Sequence, residues 1–189
     1  MLTVDLAALG LKDGMRVLDL GCGAGRHLHA AYYAAKIEAF GLDRSFADIE
    51  KTRAGFRAYP DMTPGATCRF RLAVGDCLAL PFAPASFDII ICSEVLEHIA
   101  RFDLALAEIA RVLKPQGRLA VSVPRFWPEW LCWHLAEDYH TTPGGHVRIF
   151  KPQDLRQAVE HAGFHFERRH FAHGLHSPYW WLQCLVWAR

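Results

Sequence analysis

The stretch Val17-Leu18-Asp19-Leu20-Gly21-Cys22-Gly23-Ala24-Gly25 decides the fold of this chain. Its first part, together with Arg16, is a short apolar run of the kind that forms a buried strand. The glycines that follow allow a tight turn and let a ligand approach the backbone without a Cβ in the way. A helix, expected from about Arg26 to Lys36, would point its first amide groups at that ligand. The sequence therefore predicts a ligand-binding strand–loop–helix unit over 16–36.

The spacing of these glycines separates two classes of nucleotide-binding loop. A dinucleotide-binding loop has the pattern G-x-G-x-x-G, whose third glycine would fall where this chain has Arg26. The pattern here is G-x-G-x-G, and Asp19 stands inside the strand before it. Both features count against a dinucleotide-dependent oxidoreductase, which stays an alternative because a glycine-rich turn alone is weak evidence of a ligand.

Strand-like apolar runs alternate with longer helical stretches along the rest of the chain, as in a sheet of parallel strands. The further predicted strands are 37–42, 68–74, 87–92, 118–123 and 164–169, and the further predicted helices are 46–58, 103–113 and 151–162. The fold class is α/β: a Rossmann-like, mostly parallel sheet with helices on both faces, in one domain over residues 1–189. An aromatic-rich insertion at 125–145 interrupts the alternation. Leu182 to Ala188 would supply a shortened seventh strand, or that strand is missing.

Composition and charge exclude several classes of protein. The chain has 189 residues, enough for a core of its own, and a formal net charge of +1. Because Lys and Arg are scattered, we expect no general affinity for nucleic acid or for an anionic membrane. Six cysteines without C-x-x-C spacing favour a reducing compartment and argue against structural zinc. Residues 1–12 resemble neither a signal peptide nor a membrane span, so a cytoplasmic location is expected.

The glycine loop and four later motifs together resemble the class I, Rossmann-like S-adenosylmethionine-dependent methyltransferases, in particular the methyltransferase type 11 and ubiquinone-pathway branch. The later motifs are Asp43, Gly75-Asp76-Cys77, Leu80-Pro81-Phe82 with Ser86-Phe87-Asp88, and Arg111 to Arg118. The resemblance runs from about Arg16 to Phe164 and keeps the order of the family. It implies that S-adenosyl-L-methionine is the cofactor and that its methyl group goes to a small or lipid-like acceptor, with oxygen as the expected acceptor atom.

The resemblance also implies a set of cofactor-binding residues. Asp19 and the glycine loop would hold the amino-acid end of the cofactor, Asp43 the ribose hydroxyls and Asp76 the adenine amine. A carboxylate suits the ribose because it accepts two hydrogen bonds at once. The full predicted set is Asp19, Gly21, Cys22, Gly23, Gly25, Asp43, Arg44, Asp76, Cys77 and Ser93. A non-catalytic cofactor-binding scaffold is the alternative that would use the same set.

The acceptor side of the site is expected after the fourth strand, because ligands of an open parallel sheet lie beyond the carboxyl ends of its strands. Glu94, Glu97 and His98 follow that strand and would share one face of a helix. Two carboxylates and an imidazole are suitable ligands for a divalent metal. The segment resembles the metal-binding Glu-x-x-Glu-His of the ubiquinone-pathway O-methyltransferases and of the small-RNA 3′-terminal 2′-O-methyltransferases. Alternatively, the glutamates are acids at a helix start, stabilised by its dipole.

Two further groups complete the predicted acceptor side. His146, and more weakly His140, is a candidate fourth ligand or general base, so the predicted catalytic residues are Glu97, His98 and His146. Trp127, Trp130 and Trp133 would suit the pocket of a flat or apolar acceptor. Alternatively, these aromatics form a small separate hydrophobic cluster or the contact of a homodimer. Tyr179-Trp180-Trp181 raises the same alternatives.

Overall fold

The computed structural model describes residues 2–58, 69–135 and 145–172. The strands are β1 (Arg16–Leu20), β2 (Glu38–Asp43), β3 (Arg69–Val74), β4 (Phe87–Ser93) and β5 (Leu113–Ser122). They form one sheet in the order β3-β2-β1-β4-β5, and every neighbouring pair is parallel. Because the chain runs outward from β1 in both directions, the carboxyl ends of β1 and β4 border the topological switch point, where ligands of such sheets bind. The α/β fold class predicted from the sequence is confirmed.

Six helices and one 3₁₀ turn accompany the strands in the part of the chain that the structure describes. They are α1 (Leu6–Leu9), α2 (Arg26–Ala34), α3 (Phe46–Ala58), the 3₁₀ turn Leu96–His98, α4 (Phe102–Val112), α5 (Phe126–Leu135) and α6 (Pro152–His161). Helix α6 begins at a proline, which suits the first turn because its missing N–H has no partner there. None of these helices combines the length and the apolar character that crossing a membrane requires.

Alternating strand residues divide the buried side chains between two cores, one on each face of the sheet. Successive side chains of a strand point to opposite faces. Leu18 and Ile90 pack on the face covered by α4, whereas Val17 and Ile89 pack on the face covered by α2. β1 and β4 thus bury both of their faces, as central parallel strands do. This double burial fixes the strand ends that carry the candidate site.

The edge of the sheet departs from the sequence prediction. β5 begins at Leu113, five positions before the predicted start, because Leu113 pairs with Phe87 ahead of a register shift. The predicted strand at 164–169 is wrong: these residues have no regular structure and the sheet of the described residues ends at β5. Side chains of this run find partners outside a strand: the Arg156 guanidinium stacks over Phe166, and Arg168 forms an ion pair with Asp5. Leu182 to Ala188 lies outside the described residues.

Candidate functional site

The glycine loop after β1 is tied to the end of β2 by backbone hydrogen bonds. The amides of Gly21 and Cys22 donate to the Leu42 carbonyl at 2.7 and 3.2 Å. The Gly23 amide donates to Oδ2 of Asp43 at 2.8 Å, and the Ser45 amide donates to the other oxygen at 2.8 Å. Asp43 therefore orders the loop as well as the start of the β2–α3 connection. Its carboxylate retains accepting capacity, because each oxygen has two lone pairs.

The same loop lies against the segment that follows β4. Gly21 has a φ of +69°, and a Cβ at this position would stand 2.3 Å from Cγ2 of Val95. Gly25 has a φ of +83°, and its Cβ would stand 2.7 Å from the His29 ring. Glycine is required at both positions, since L-residues with a side chain rarely adopt such φ values. The absent side chains allow Val95 and His29 to pack directly against the loop backbone.

Asp19 lies beneath the loop on the α2 face of the sheet. It is 1% exposed, and its Oδ2 accepts a hydrogen bond from the Leu28 amide in the first turn of α2 at 3.0 Å. Burial raises the pKa of Asp19 to about 7, while the nearby Arg26 guanidinium and the Leu28 amide pull it down. A carboxyl group with such a pKa ionises readily when a second cation is placed beside it.

The remaining predicted cofactor residues lie at the ends of β2, β3 and β4. Gly75 donates to the Asp43 carbonyl at 2.9 Å, so Asp76 follows directly beside the end of β2. Asp76 accepts from the Leu78 amide, and Cys77 is buried next to it. Arg44 is exposed. Cys22 is buried, and its sulfur would lie 3.1 Å from a Cβ placed on Gly41.

Ser93 belongs to a different group of side chains from the glycine loop. Its hydroxyl lies 2.6 Å from that of Thr3 and 2.8 Å from that of Ser122. The Thr3 amide donates to Nε2 of His27 at 3.1 Å, so the N-terminal segment crosses the ends of β4 and β5. Sequence reasoning missed Thr3 and His27, because no motif marks a segment that reaches a sheet from the chain terminus.

Glu97 is the most unusual residue on the acceptor side. It is 1% exposed, and neither of its carboxylate oxygens has a hydrogen-bond partner among the described residues. Burial, and then the negative charge of Glu94, raise the pKa of Glu97 to about 9. A buried carboxyl without a partner is costly unless a ligand supplies one, since an unsatisfied buried polar group loses about 1–3 kcal/mol.

Two imidazoles stand beside this carboxyl. Each of Glu97, His98 and His146 offers a ligand atom, and these atoms all lie within 4.8 Å of one another. The rings of His98 and His146 are 4.7 Å apart, and the Val147 amide donates to the Glu97 carbonyl at 2.9 Å. The structure thus brings together the three predicted catalytic residues, from segments far apart in the sequence. One carboxylate and two imidazoles form a donor set that divalent transition metals accept.

Glu94 does not join this cluster, contrary to the prediction of a shared helical face. No helix begins at Glu94: its φ is +57°, and the 3₁₀ turn starts two residues later. Its carboxylate accepts instead from the Ser122 hydroxyl at 3.1 Å. The triad is therefore Glu97, His98 and His146 rather than the predicted metal set of Glu94, Glu97 and His98. His140 lies outside the described residues.

Glu129 in α5 is a buried residue of the site that sequence reasoning missed. Only 5% of it is exposed, and its Oε1 contacts Nδ1 of His146. The indole N–H of Trp133 donates to the same oxygen at 3.3 Å. A signal was present, since Glu129 is the sole acid in the apolar run 126–133, and acids are rarely buried unless paired.

A cavity of about 1510 Å³ opens from this cluster along the outer edge of β5. Glu94, His98, Glu129 and His146 are among its lining residues. Apolar side chains of β5 and α6, and basic side chains such as Arg118, line it as well. The three tryptophans do not line it. Residues three positions apart share a helix face, so α5 turns Glu129 and Cys132 inward while Trp127 and Trp130 stay 71% and 39% exposed.

Comparison with known proteins shows the family of this chain. A family model described as "Methyltransferase domain" matches residues 11–163. The O-methyltransferase cnsE of Penicillium expansum is 29% identical, over 82% of this chain and 54% of the relative. The demethylmenaquinone methyltransferase of Renibacterium salmoninarum is 37% identical, over 64% of this chain and 47% of the relative. The chain thus spans about half the length of these two curated relatives.

A solved structure with a similar fold is that of the YcgJ protein from Bacillus subtilis. It superposes with a TM-score of 0.68 at 26% identity, and the match covers 83% of this chain and 64% of that chain. This likeness agrees with the α/β fold described above.

Proposed function

This chain belongs to the methyltransferase domain family, and on that premise we propose that it transfers the methyl group of S-adenosyl-L-methionine to an oxygen of a small or lipid-like acceptor, with a divalent metal in the site. The observation that carries the proposal is the gathering of Glu97, His98 and His146 next to the glycine loop, at the switch point of the sheet. The loop and the cluster meet through Gly21 and Val95, two residues before Glu97.

The cofactor half of the proposal rests on three acids around the crevice. S-adenosylmethionine supplies a methyl group on a positively charged sulfonium with an excellent leaving group. Asp19, beneath the loop, would stabilise the amino group at the amino-acid end of the cofactor. Asp43 already orders the loop and would accept from the ribose, and Asp76 would accept from the adenine amine. These residues act by orienting the cofactor, and alignment alone can contribute roughly 7–11 kcal/mol to such a reaction.

The metal half of the proposal rests on Glu97. Its two buried oxygens without partners, and the two imidazoles beside it, fit a divalent cation better than they fit a dry core. Glu97, His98 and His146 would hold the ion, with Glu94 near enough to raise the pKa of Glu97 by its charge. A bound cation would make an acceptor hydroxyl more acidic and would balance the carboxylates.

The acceptor is proposed to enter through the cavity along β5. The lining of that cavity includes apolar side chains such as Val121, Val123 and Phe164 as well as residues of the cluster, and this combination suits an apolar acceptor body with one polar end. The relatives named above, an O-methyltransferase and a demethylmenaquinone methyltransferase, are compatible with this class.

Calorimetric titration with S-adenosylhomocysteine tests the cofactor half. We expect binding to the wild-type protein, loss of binding in Asp43→Asn, and no change in Asp48→Asn, which alters a half-buried acid of α3 that pairs with Lys51. NADH is the comparison ligand. Binding of NADH but not of S-adenosylhomocysteine by the folded protein would overturn the proposal.

Calorimetric titration with Mn²⁺, and turnover of a phenol such as catechol after chelation and readdition of Mg²⁺ or Mn²⁺, tests the metal half. Glu97→Gln and His98→Asn should lose Mn²⁺ while still binding S-adenosylhomocysteine. Turnover that is unchanged with chelator present would show that the reaction needs no metal. A methyl group on a carbon of the product would show that oxygen is not the acceptor atom.

A further inference from the structure

We propose that Glu129 is a positioning residue of this site: its carboxylate holds the imidazole of His146 by Nδ1, so that Nε2 carries the lone pair offered to the cluster. This inference rests on the proposed function for its consequence, because the lone pair would serve a metal or an acceptor proton. The contact between Glu129 and Nδ1 of His146 does not itself depend on that function.

The contacts of Glu129 fix its orientation from two sides. The indole N–H of Trp133, one helical turn further along α5, donates to Oε1. Nδ1 of His146 contacts the same oxygen. With the Glu129 carboxylate as the acceptor, Nδ1 of His146 is the donor, and the proposed tautomer has its lone pair on Nε2.

The burial of Glu129 makes this contact stronger than a surface hydrogen bond. Its side chain is 6% exposed and that of His146 is 19% exposed, so water competes little for either group. Glu129 also lies in the first turn of α5, where the helix dipole stabilises a negative charge. A buried acid is thus held beside a half-buried imidazole by both the helix and the indole.

The position of His146 relative to the cluster explains what this hydrogen bond achieves. The segment that carries His146 has no helix or strand of its own between 145 and 150, so the ring needs a fixed partner. Glu129 contacts the ring at Nδ1, and the centre of the His98 ring is 4.7 Å from its centre. A carboxylate behind a ligating histidine raises the basicity of the opposite nitrogen and fixes the ring plane.

The test combines the histidine tautomer with metal affinity. In long-range ¹H–¹⁵N spectra recorded near about pH 8, where an ordinary imidazole is neutral, His146 is identified by its absence from His146→Gln. We expect the Nδ1–H tautomer in the wild-type protein and a shift towards Nε2–H in Glu129→Ala. In calorimetry, Mn²⁺ affinity should fall about 10–100-fold in Glu129→Ala. Glu129→Gln, which keeps an accepting oxygen, should lose less.

Two controls separate positioning from folding and from direct ligation. Glu160→Ala removes an exposed acid of α6 and should change neither readout. All variants should bind S-adenosylhomocysteine as the wild type does, which shows that the fold is intact. An unchanged His146 tautomer in Glu129→Ala overturns the inference. So does a Glu129→Gln variant that loses Mn²⁺ as completely as Glu129→Ala, because that result makes Glu129 a ligand. Wild-type protein that binds no Mn²⁺ overturns the metal half of the proposed function, and the tautomer still decides the role of Glu129.

Discussion

Gly21 shows how one residue joins the two halves of the site. Its backbone conformation is left-handed, and the space where its side chain would lie is occupied by the methyl group of Val95. Gly14 has a similarly positive φ of +83°, but a Cβ there would meet nothing within 4 Å. Comparing Gly21 with Gly14 therefore separates the cost of the backbone conformation from the cost of the close contact with Val95.

We expect Gly21→Ala to lower the free energy of unfolding well beyond Gly14→Ala. The left-handed conformation should cost each variant about 1–2 kcal/mol. Gly21→Ala must in addition push Val95 away, which should weaken S-adenosylhomocysteine binding as well. Urea unfolding and calorimetry measure the two effects. Equal stability of the two variants, with cofactor binding intact, would contradict the close contact.

His27 gives the chain a specific dependence on pH. It is 2% exposed, and burial, with the nearby Arg26 charge, lowers its pKa from 6.5 to about 4. Between these values the unfolded chain binds a proton that the folded chain does not. The contribution of neutral His27 to the free energy of unfolding is therefore fully present above about pH 6.5. It is lost as the pH falls towards 4, by up to about 3 kcal/mol.

We expect His27→Gln to reduce this acid sensitivity, because glutamine accepts from the Thr3 amide without titrating. The measurement is the free energy of unfolding of both proteins across that pH window. His165→Gln, which replaces an exposed histidine, is the control and should follow the wild type. Parallel curves for wild type and His27→Gln would show that His27 does not titrate in this way.

Residue types and spacing predicted the cofactor side better than the acceptor side. Asp19, Asp43 and the glycines follow strands directly, so the strand pattern alone brings them to one edge of the sheet. Glu94 was assigned to a helical face, and its positive φ prevents that. Nothing local predicts such a φ, since residues other than glycine seldom adopt it. Glu129 reaches the cluster by a contact across 17 positions, which spacing rules do not address.

At the scale of elements, the link between the 3₁₀ turn and the segment 145–150 decides whether the cluster forms. Nη2 of Arg148 donates to the carbonyls of Ile99 and Ala100 at 2.9 and 2.7 Å. Its guanidinium lies 4.4 Å from the centre of the Phe102 ring. One side chain thus fastens the His146 segment to the start of α4.

Arg148→Lys should weaken Mn²⁺ binding about 10-fold and leave S-adenosylhomocysteine binding unchanged. Lysine keeps the charge but loses the planar group that bonds two carbonyls while stacking on an aromatic ring. Arg156→Lys is the matched control, because Arg156 also stacks on a ring and pairs with an acid, but on α6. Unaltered Mn²⁺ affinity in Arg148→Lys would show that the segment is held by other contacts.

The elements of the sheet interior were predictable, whereas those at its edge were not. β1 and β4 are buried on both faces, so continuous apolar runs mark them in the sequence. The start of β5 contains Pro115 and Gln116, the latter with a φ of +65°, which reads as a helix stop rather than as a strand. The run 164–169 has the alternation of a strand without forming one. Strand formation there depends on a partner, and a local pattern cannot supply that information.

At the scale of the whole molecule, the carboxyl ends of the parallel strands carry two sites that use different side chains. Asp19 and Asp43 face the loop between β1 and α2, whereas Glu97, His98 and His146 lie beyond β4. The sites touch through Gly21 and Val95, and Arg26 acts by its charge on the pKa of both Asp19 and Glu94. Binding ligands at the two sites, singly and together, therefore tests whether the sites act independently.

S-adenosylhomocysteine and Mn²⁺ should each stabilise the folded chain, and together they should stabilise it by the sum. A ligand at 100 times its Kd contributes about 2.7 kcal/mol. The two contributions add if filling one site leaves the affinity of the other unchanged. Chemical unfolding with each ligand alone and with both measures this. Asp43→Asn should lose only the first increment and Glu97→Gln only the second. A combined effect well below the sum would mean that filling one site disfavours the other. Gly21 and Val95 would then be the contact through which the two sites compete, because they join the loop to the segment that carries Glu97.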